Sequence, residues 1–168
     1  MPSNYILRPA VTSDIPAIQA MRAPLVDSNI LLKHQLVSLY ERVQEFMVAE
    51  SSDGRVIAAG ALHVMWGDLA EVRSLVVDSS ARGLGLGKAI VEGLVARAKT
   101  LGINRVFCLT FEVEFFVRCG FEVISDVPVD EETFAQMVES SDDGVAEFLD
   151  LARVKQNTLG NTRMLRVI

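Results

Sequence analysis

The sequence predicts a mixed α/β fold, on three observations. Strand-like and helix-like segments alternate along the chain. Two apolar segments meet at a hairpin signal, Ser52-Asp53-Gly54, so part of the sheet is antiparallel. A glycine-rich turn leads from a strand straight into an amphipathic helix. With 168 residues, half of them apolar and 23% charged, the chain has the size and composition of a single globular domain over residues 1–168. A chain of this length buries roughly 70% of its unfolded surface and folds without a disulfide or a metal.

Taken in order, Tyr5 to Arg8 reads as a short strand ended by Pro9. Thr12, Ser13 and Asp14 offer helix caps, Pro16 suits a first turn, and Ile15, Ile18, Met21, Arg22 and Leu25 form a helical stripe. A second helical stretch covers Gln35 to Val43. Phe46 to Glu50 and Arg55 to Trp66 are the two arms of the hairpin, and Glu71 to Asp78 is a further strand. Gly85 to Leu101 is a helix whose positions Leu86, Ala89, Ile90, Leu94, Ala98 and Leu101 keep one face, with Gly102 as its stop. Arg105 to Thr110 is a buried strand. Phe115 to Cys119 is a short helix ended at Gly120, Phe121 to Ile124 a strand, and Met164 to Ile168 a last strand.

Charge excludes some functions. The net charge of −6 argues against nucleic acid, which needs clustered Lys and Arg. Residues 1–121 carry twelve acidic and twelve basic side chains, whereas 122–150 carry ten acidic and none basic. That acidic stretch reads mainly as a solvated face holding one or two short helices. Four basic residues, Arg153, Lys155, Arg163 and Arg166, follow it and suit an anionic small molecule. The most apolar run, Val56 to Trp66, is eleven residues, too short to span a bilayer, and no charged-then-apolar leader opens the chain. Cys108 and Cys119 make no disulfide framework, so a reducing, cytoplasmic setting is expected. His34 and His63 lack metal-ligand spacing, and no metal is expected.

The segment Asp78 to Lys88 carries the chemistry. Gly83, Gly85 and Gly87 remove the Cβ atoms that would hold a phosphate off the backbone. The N–H groups of the following helical turn point at an anion, and Arg82 and Lys88 add charge. An NTPase phosphate loop would need Gly at 82 and Ser or Thr at 89, where Arg82 and Ala89 stand, and Gly87 follows Gly85 too closely for a dinucleotide fingerprint.

Arg82-x-x-Gly85-x-Gly87 after a strand ending Leu75-Val76-Val77-Asp78 resembles the acetyl-CoA signature of the GNAT N-acetyltransferase superfamily. Arg8-Pro9-Ala10 with Asp14, and the corner Phe115 to Phe121, resemble the same family. The resemblance implies a mostly antiparallel mixed sheet splayed between its fourth and fifth strands, with helices on both faces. Acetyl-CoA would then lie in the splay, its pyrophosphate on Arg82 to Lys88 (with Gly83, Leu84, Gly85 and Gly87) and its pantetheine arm paired to Leu75, Val76 and Val77.

Glu71 to Val77, Val106 to Thr110 and Gly160 to Leu165 are similar to the acetyltransferase domain of N-acetylglutamate synthases, above all to its short stand-alone form. That likeness implies N-acetylation of the α-amine of L-glutamate, the first step of arginine biosynthesis. The amino-acid-kinase-like domain of longer synthases is missing, so their arginine-binding feedback site is not assumed.

An ammonium must lose a proton before it attacks a thioester, and Glu71 resembles the family's base. Thr110 resembles a Ser of the glutamate branch that meets the leaving thiolate; a strand Thr with a backbone partner is the plain alternative. Phe116, grouped with the cofactor contacts, stands where many members have a Tyr acid. The substrate's carboxylates need cationic or N–H partners: the family likeness points to Lys33 and, at a position where the family has a Ser, to Thr162, while Asn161 and Arg163 supply further donors, Arg73 and Ser74 are strand candidates and Lys155 is a weaker one. Arg73 leaves its strand on the same face as Glu71; it either grips substrate or pairs structurally with Glu71. Glutamine or another small amino acid as acceptor, and a non-catalytic acyl-CoA-binding module, are the alternative readings. A homodimer accords with the family.

Overall fold

A computed structural model describes residues 4–151 and 160–168. Seven strands form one sheet in the order β1-β2-β3-β4-β5-β7-β6. They are β1 Tyr5–Pro9, β2 Phe46–Ser51, β3 Val56–Trp66, β4 Leu69–Val77, β5 Arg105–Thr110, β6 Glu122–Val123 and β7 Thr162–Val167. The helices are α1 Ile15–Asp27, α2 Leu36–Glu41, α3 Leu86–Thr100, α4 Val113–Arg118, α5 Glu131–Met137 and α6 Asp143–Phe148. Every neighbouring pair is antiparallel except β4 and β5, which α3 connects as a crossover.

The β4–β5 ladder is short. Leu69, Ala70 and Glu71 face Arg105, Val106 and Phe107, and there the pairing stops. β4 runs on to Val77 and β5 to Thr110, with β5 still paired to β7 up to the Thr110–Thr162 partners. A wedge therefore opens between two strands of one sheet, the splay that the resemblance implied.

Helices cover both faces. On one face α3 packs Ile90, Leu94 and Ala98 against Ala58, Leu62, Ala70 and Val72. Phe116 and Phe121, at and just after α4, join that cluster, their rings edge to face 5.2 Å apart. On the other face α1 and α2 bring Ile15, Ile18 and Leu39 onto Val48, Ala59, Ala61 and Val76. Beside them α6 sets Phe148 edge-on against Phe107, with ring centres 4.6 Å apart, and Val145 and Met137 complete the cluster. The Arg8 guanidinium joins β1 to the entry of α1 through Asp14 at 2.7 Å.

The acidic segment departs from a purely solvated face. Most of its carboxylates are exposed, but Asp142 is buried and Glu147 half-buried. Asp130 and Asp142 cap α5 and α6 by accepting the N–H groups of Thr133 and Val145.

Opposite the wedge, β4 carries a bulge: Ser74 and Leu75 stand against the single residue Gly60 of β3, and Ser74 takes φ 54°, unusual outside glycine. Gly60 is required by space. A Cβ there would lie 2.6 Å from Ile90 Cγ2 and 3.2 Å from Leu94 Cδ1. Gly60→Ala should therefore destabilise the fold by about 1–3 kcal/mol through overpacking. At about 2–4 °C per kcal/mol for a chain of this size, thermal unfolding would show it. An unchanged Tm would mean that α3 does not sit this close to the sheet.

Candidate active site

The wedge has two mouths. On the α3 side, the turn between β4 and α3 begins with Asp78, which accepts the Ser80 N–H at 2.9 Å. Gly83 and Gly85 have φ of 82° and 75°, a conformation that side chains rarely adopt, and Gly85 directly precedes the first turn of α3. Val77, Gly85, Gly87 and Lys88 line an open groove together with Arg82 and Gly83. Arg82, Lys88 and, from α4, Arg118 face it, and no ion pair engages them among the described residues. This concentration of N–H groups, a helix N-terminus and three cations suits an anion such as a pyrophosphate. Leu84 points outward, 63% exposed. Beyond Glu71 no strand pairs with β4 on the wedge side, which leaves the backbone of Leu75, Val76 and Val77 open there.

Phe116 is placed differently from its sequence assignment. It is buried in the core, edge-on to Phe115 and Phe121, and the groove is lined by its neighbour Phe115. The α4 helix turns one ring inward and the next outward, a choice that the run Phe115-Phe116 does not reveal by composition.

On the opposite face a small cleft gathers Arg22, His34, Glu71, Arg73, Ser74 and Asn161, with Leu109, Gly144 and Glu147 also lining it. Glu71 is only 5% exposed, not a solvated strand-end carboxylate. Burial pushes its carboxyl up, and the adjacent Arg73 charge offsets this in part. A carboxyl so placed holds a proton more readily than an ordinary glutamate, which suits a general base.

Arg73 takes the structural alternative. Its Nη2 donates to Glu71 Oε2 at 2.7 Å and to Asp142 Oδ1 at 3.0 Å, and its Nη1 donates to Asp142 Oδ2 at 3.0 Å. Two carboxylates thus engage both of its Nη atoms, while its Nε is buried without a hydrogen-bond partner among the described residues. Asp142 is held below the usual carboxylate range: burial works against this, but the Arg73 guanidinium outweighs it.

In this cleft Arg22 has no carboxylate partner among the described residues. It lies on the apolar stripe of α1, 3% exposed. Its Nε donates to Ser74 Oγ at 3.1 Å and its Nη2 to the Leu32 carbonyl at 2.8 Å, both neutral acceptors. Burial, with repulsion from Arg42 and Arg73, lowers its pKa to about 10, so it stays charged at neutral pH. His34 beside it is driven down to about 4 by burial and by the Arg22 charge, and is neutral.

The remaining predicted residues divide. Thr110 is buried, and its Oγ1 accepts the Glu112 N–H at 2.8 Å, so the hydroxyl hydrogen itself is left to donate. Strand alternation turns Thr110 toward α3 with Val106 and Cys108, whereas Glu71 faces the other way with Leu69. Thr162 stands opposite Thr110 on β7. Lys33 is exposed and does not line the cleft; its neighbour His34 does. Arg163 donates to the carbonyls of Phe148 at 2.5 Å and Glu147 at 3.1 Å, and so anchors the end of α6. Lys155 lies outside the described residues.

Four site residues escape the sequence reading: Arg22, His34, Asp142 and Glu147. A charged side chain on the buried stripe of α1 is the one signal that was legible. Among the described residues no group of three or more His, Cys, Asp or Glu is arranged to hold a metal ion. No helix there is long and apolar enough to cross a membrane.

Comparison with known proteins agrees with this geometry. The family model described as "Acetyltransferase (GNAT) family" matches residues 20–121. The chain is 53% identical to the amino-acid acetyltransferase of Mycobacterium tuberculosis over 97% of its length and 94% of that protein's. Among solved structures, Rv2747 from Mycobacterium tuberculosis in complex with CoA and NLQ superposes with a TM-score of 0.93, at 52% identity, covering 97% of this chain and 99% of that one. N-acetylglutamate synthase from Neisseria gonorrhoeae, complexed with coenzyme A and N-acetyl-glutamate, follows at a TM-score of 0.78 and 25% identity, covering 97% of this chain but 35% of that one. A sheet parted beside a glycine-rich helix entry, a buried carboxyl at the fork and these relatives lead to one conclusion: the chain belongs to the GNAT acetyltransferase family.

Proposed function

We propose that the protein transfers the acetyl group of acetyl-CoA to the α-amine of L-glutamate, by direct attack within a ternary complex. The observation that carries the acceptor class is Arg22, a buried guanidinium with only neutral partners, in the same cleft as the buried carboxyl of Glu71. A charge that is buried without a counter-ion is costly by several kcal/mol, and a substrate carboxylate is the natural complement. The related structures in complex with CoA and NLQ and with coenzyme A and N-acetyl-glutamate support the same reading.

Each residue then has a task. The Arg82–Lys88 turn holds the pyrophosphate, and the open edge of β4 takes the pantetheine arm. Arg22 and Asn161 hold acceptor carboxylate, which brings the amine to Glu71. Glu71 accepts the ammonium proton, directly or through a water. The freed lone pair attacks the thioester carbonyl, whose oxygen gains charge met by a backbone N–H of β4. The tetrahedral species collapses, the C–S bond breaks, the nitrogen's remaining extra proton passes to the departing thiolate, and the Thr110 hydroxyl donates a hydrogen bond to that sulfur. Neither cysteine fits a covalent intermediate, since both are buried and burial pushes both thiols up.

Glutamine is the second acceptor to consider, and Glu147 is the reason. Its carboxyl lines the cleft and is raised to about 8 by burial and by the charge of Glu71, so at neutral pH it is largely protonated and compatible with an amide as well as a carboxylate.

The test is initial-rate release of CoA from acetyl-CoA with glutamate, glutamine, aspartate, lysine and spermidine. The α-amino dicarboxylate should give the highest kcat/KM and the two cationic acceptors background rates. Spermidine turned over as fast as glutamate would end the proposal. Arg22→Gln should raise the KM for glutamate about 10–100-fold, the worth of a charge-assisted hydrogen bond, with the KM for acetyl-CoA unchanged. Glu71→Gln should lower kcat at neutral pH by about 10²–10⁴ while CoA still binds; full activity in that variant would remove Glu71 from the chemistry.

A further inference from the structure

We infer that Asp142 is a positioning residue for the reaction: by occupying the fork of Arg73 it restricts that guanidinium to one oxygen of Glu71 and keeps the base from being locked in a tight ion pair. The inference rests on Glu71 acting as the base.

The geometry carries it. Arg73 could present two parallel N–H groups to Glu71, two residues away on the same strand face. Instead both Nη atoms meet the carboxylate of Asp142, at 3.0 Å each, and only Nη2 reaches Glu71. Asp142 is itself fixed from several sides. It caps α6 by accepting the Val145 N–H at 2.9 Å, and Arg42, just after α2, holds its Oδ2 at 3.1 Å. Gly144 closes the arrangement, because a Cβ there would lie 2.7 Å from Arg73 Cζ, so the first turn of α6 rests directly on the guanidinium.

The charged and titratable groups around Glu71 come from every neighbouring element. Arg73 shares its strand, and His63 is its register partner on β3, held by Glu45 at 2.7 Å and 3.9 Å from Asp142. Asp142 and Glu147 come from the acidic segment, Arg22 from α1, and His34 from the connection between α1 and α2. Among these, Asp142 raises the proton affinity of Glu71 and Arg73 lowers it. Removing the Asp142 charge turns Arg73 wholly toward Glu71, which makes Glu71 a more acidic carboxyl and a weaker base.

The sign of the test follows. Asp142→Asn keeps the helix cap, since Asn caps as well as Asp, and deletes the charge. The acid limb of the kcat–pH profile should move to lower pH by about one unit or more, while the plateau falls about tenfold. A variant that is slower yet active over a wider acid range is not what local unfolding produces. Asp142→Glu separates the two roles: Glu caps poorly but keeps the charge, so its limb should return close to the wild-type position. Glu71→Gln identifies the limb by removing it. If Glu71→Gln leaves the limb in place, the assignment of the base fails. If the limb belongs to Glu71 but stays put in Asp142→Asn, or if Asp142→Glu shifts it as far as Asp142→Asn, the role of Asp142 is overturned and its contacts are structural. Circular dichroism and Tm of each variant show that the rates are those of folded protein.

Discussion

The parting of β4 from β5 after the Glu71–Phe107 pair governs the rest of the structure. A sheet normally satisfies each strand on both sides, so strands that diverge leave backbone N–H and C=O groups open along an inner edge. Here the edge is held open from outside. Toward β3, the bulge at Ser74 and Leu75 sharpens the bend of β4, and β5 is kept on its own course by continuous pairing with β7. The divergence places the end of the ladder, where Glu71 sits, at the vertex of a wedge whose far mouth meets the first turn of α3. One geometric event thus creates the groove beside the glycine turn, the exposed edge of β4 and the buried position of the carboxyl.

Charge balance inside the wedge distinguishes two arginines that sequence treats alike. Arg73 has two carboxylates within hydrogen-bond distance, so its charge is neutralised within the protein. Arg22 is buried too and, among the described residues, has none, only a serine hydroxyl and a carbonyl. Ion pairing in a low-dielectric site is strong enough that a third anion would displace neither Glu71 nor Asp142 from Arg73 readily, whereas an anion arriving at Arg22 meets no competitor. The proposed carboxylate grip is therefore placed on Arg22 and not on Arg73, although Arg73 lies closer to Glu71 in sequence.

Much of the fold and half of the site were legible in the sequence, for reasons that differ by residue. The helix stripe of α3, the hairpin at Asp53-Gly54 and the glycine turn are local signals, set by periodicity and by backbone conformations that only certain residues adopt. Glu71, Ser74 and Asn161, which line the cleft, could be singled out because they sit on or beside strands whose neighbours carry family motifs. Asp142 and Glu147 were missed because their segment has no such motif and reaches the site only by packing Phe148 on Phe107. Lys33 and Arg163 do not line the cleft, because a positive charge at a given point of the chain does not say where its side chain goes: one is exposed, the other ties the end of α6. Phe115 and Phe116 exchanged expected places because two adjacent helical positions differ by a hundred-degree turn, which composition does not resolve.

Strand alternation also limits which mechanisms the site can support. Glu71 faces α6 and Thr110 faces α3, so the two lie on opposite surfaces of the sheet, joined only through the wedge. A proton taken from the amine on one face is not handed by a side-chain relay to the sulfur on the other. In the proposed mechanism the two ends of the reaction are accordingly served separately, one by a carboxyl of raised proton affinity and the other by a hydroxyl whose oxygen is already occupied by the Glu112 N–H. Such an arrangement favours a single displacement in which both substrates meet through the sheet. A covalent route would need a nucleophile within the wedge itself, and the nearest thiol on β5, Cys108, is sealed in the α3-facing core.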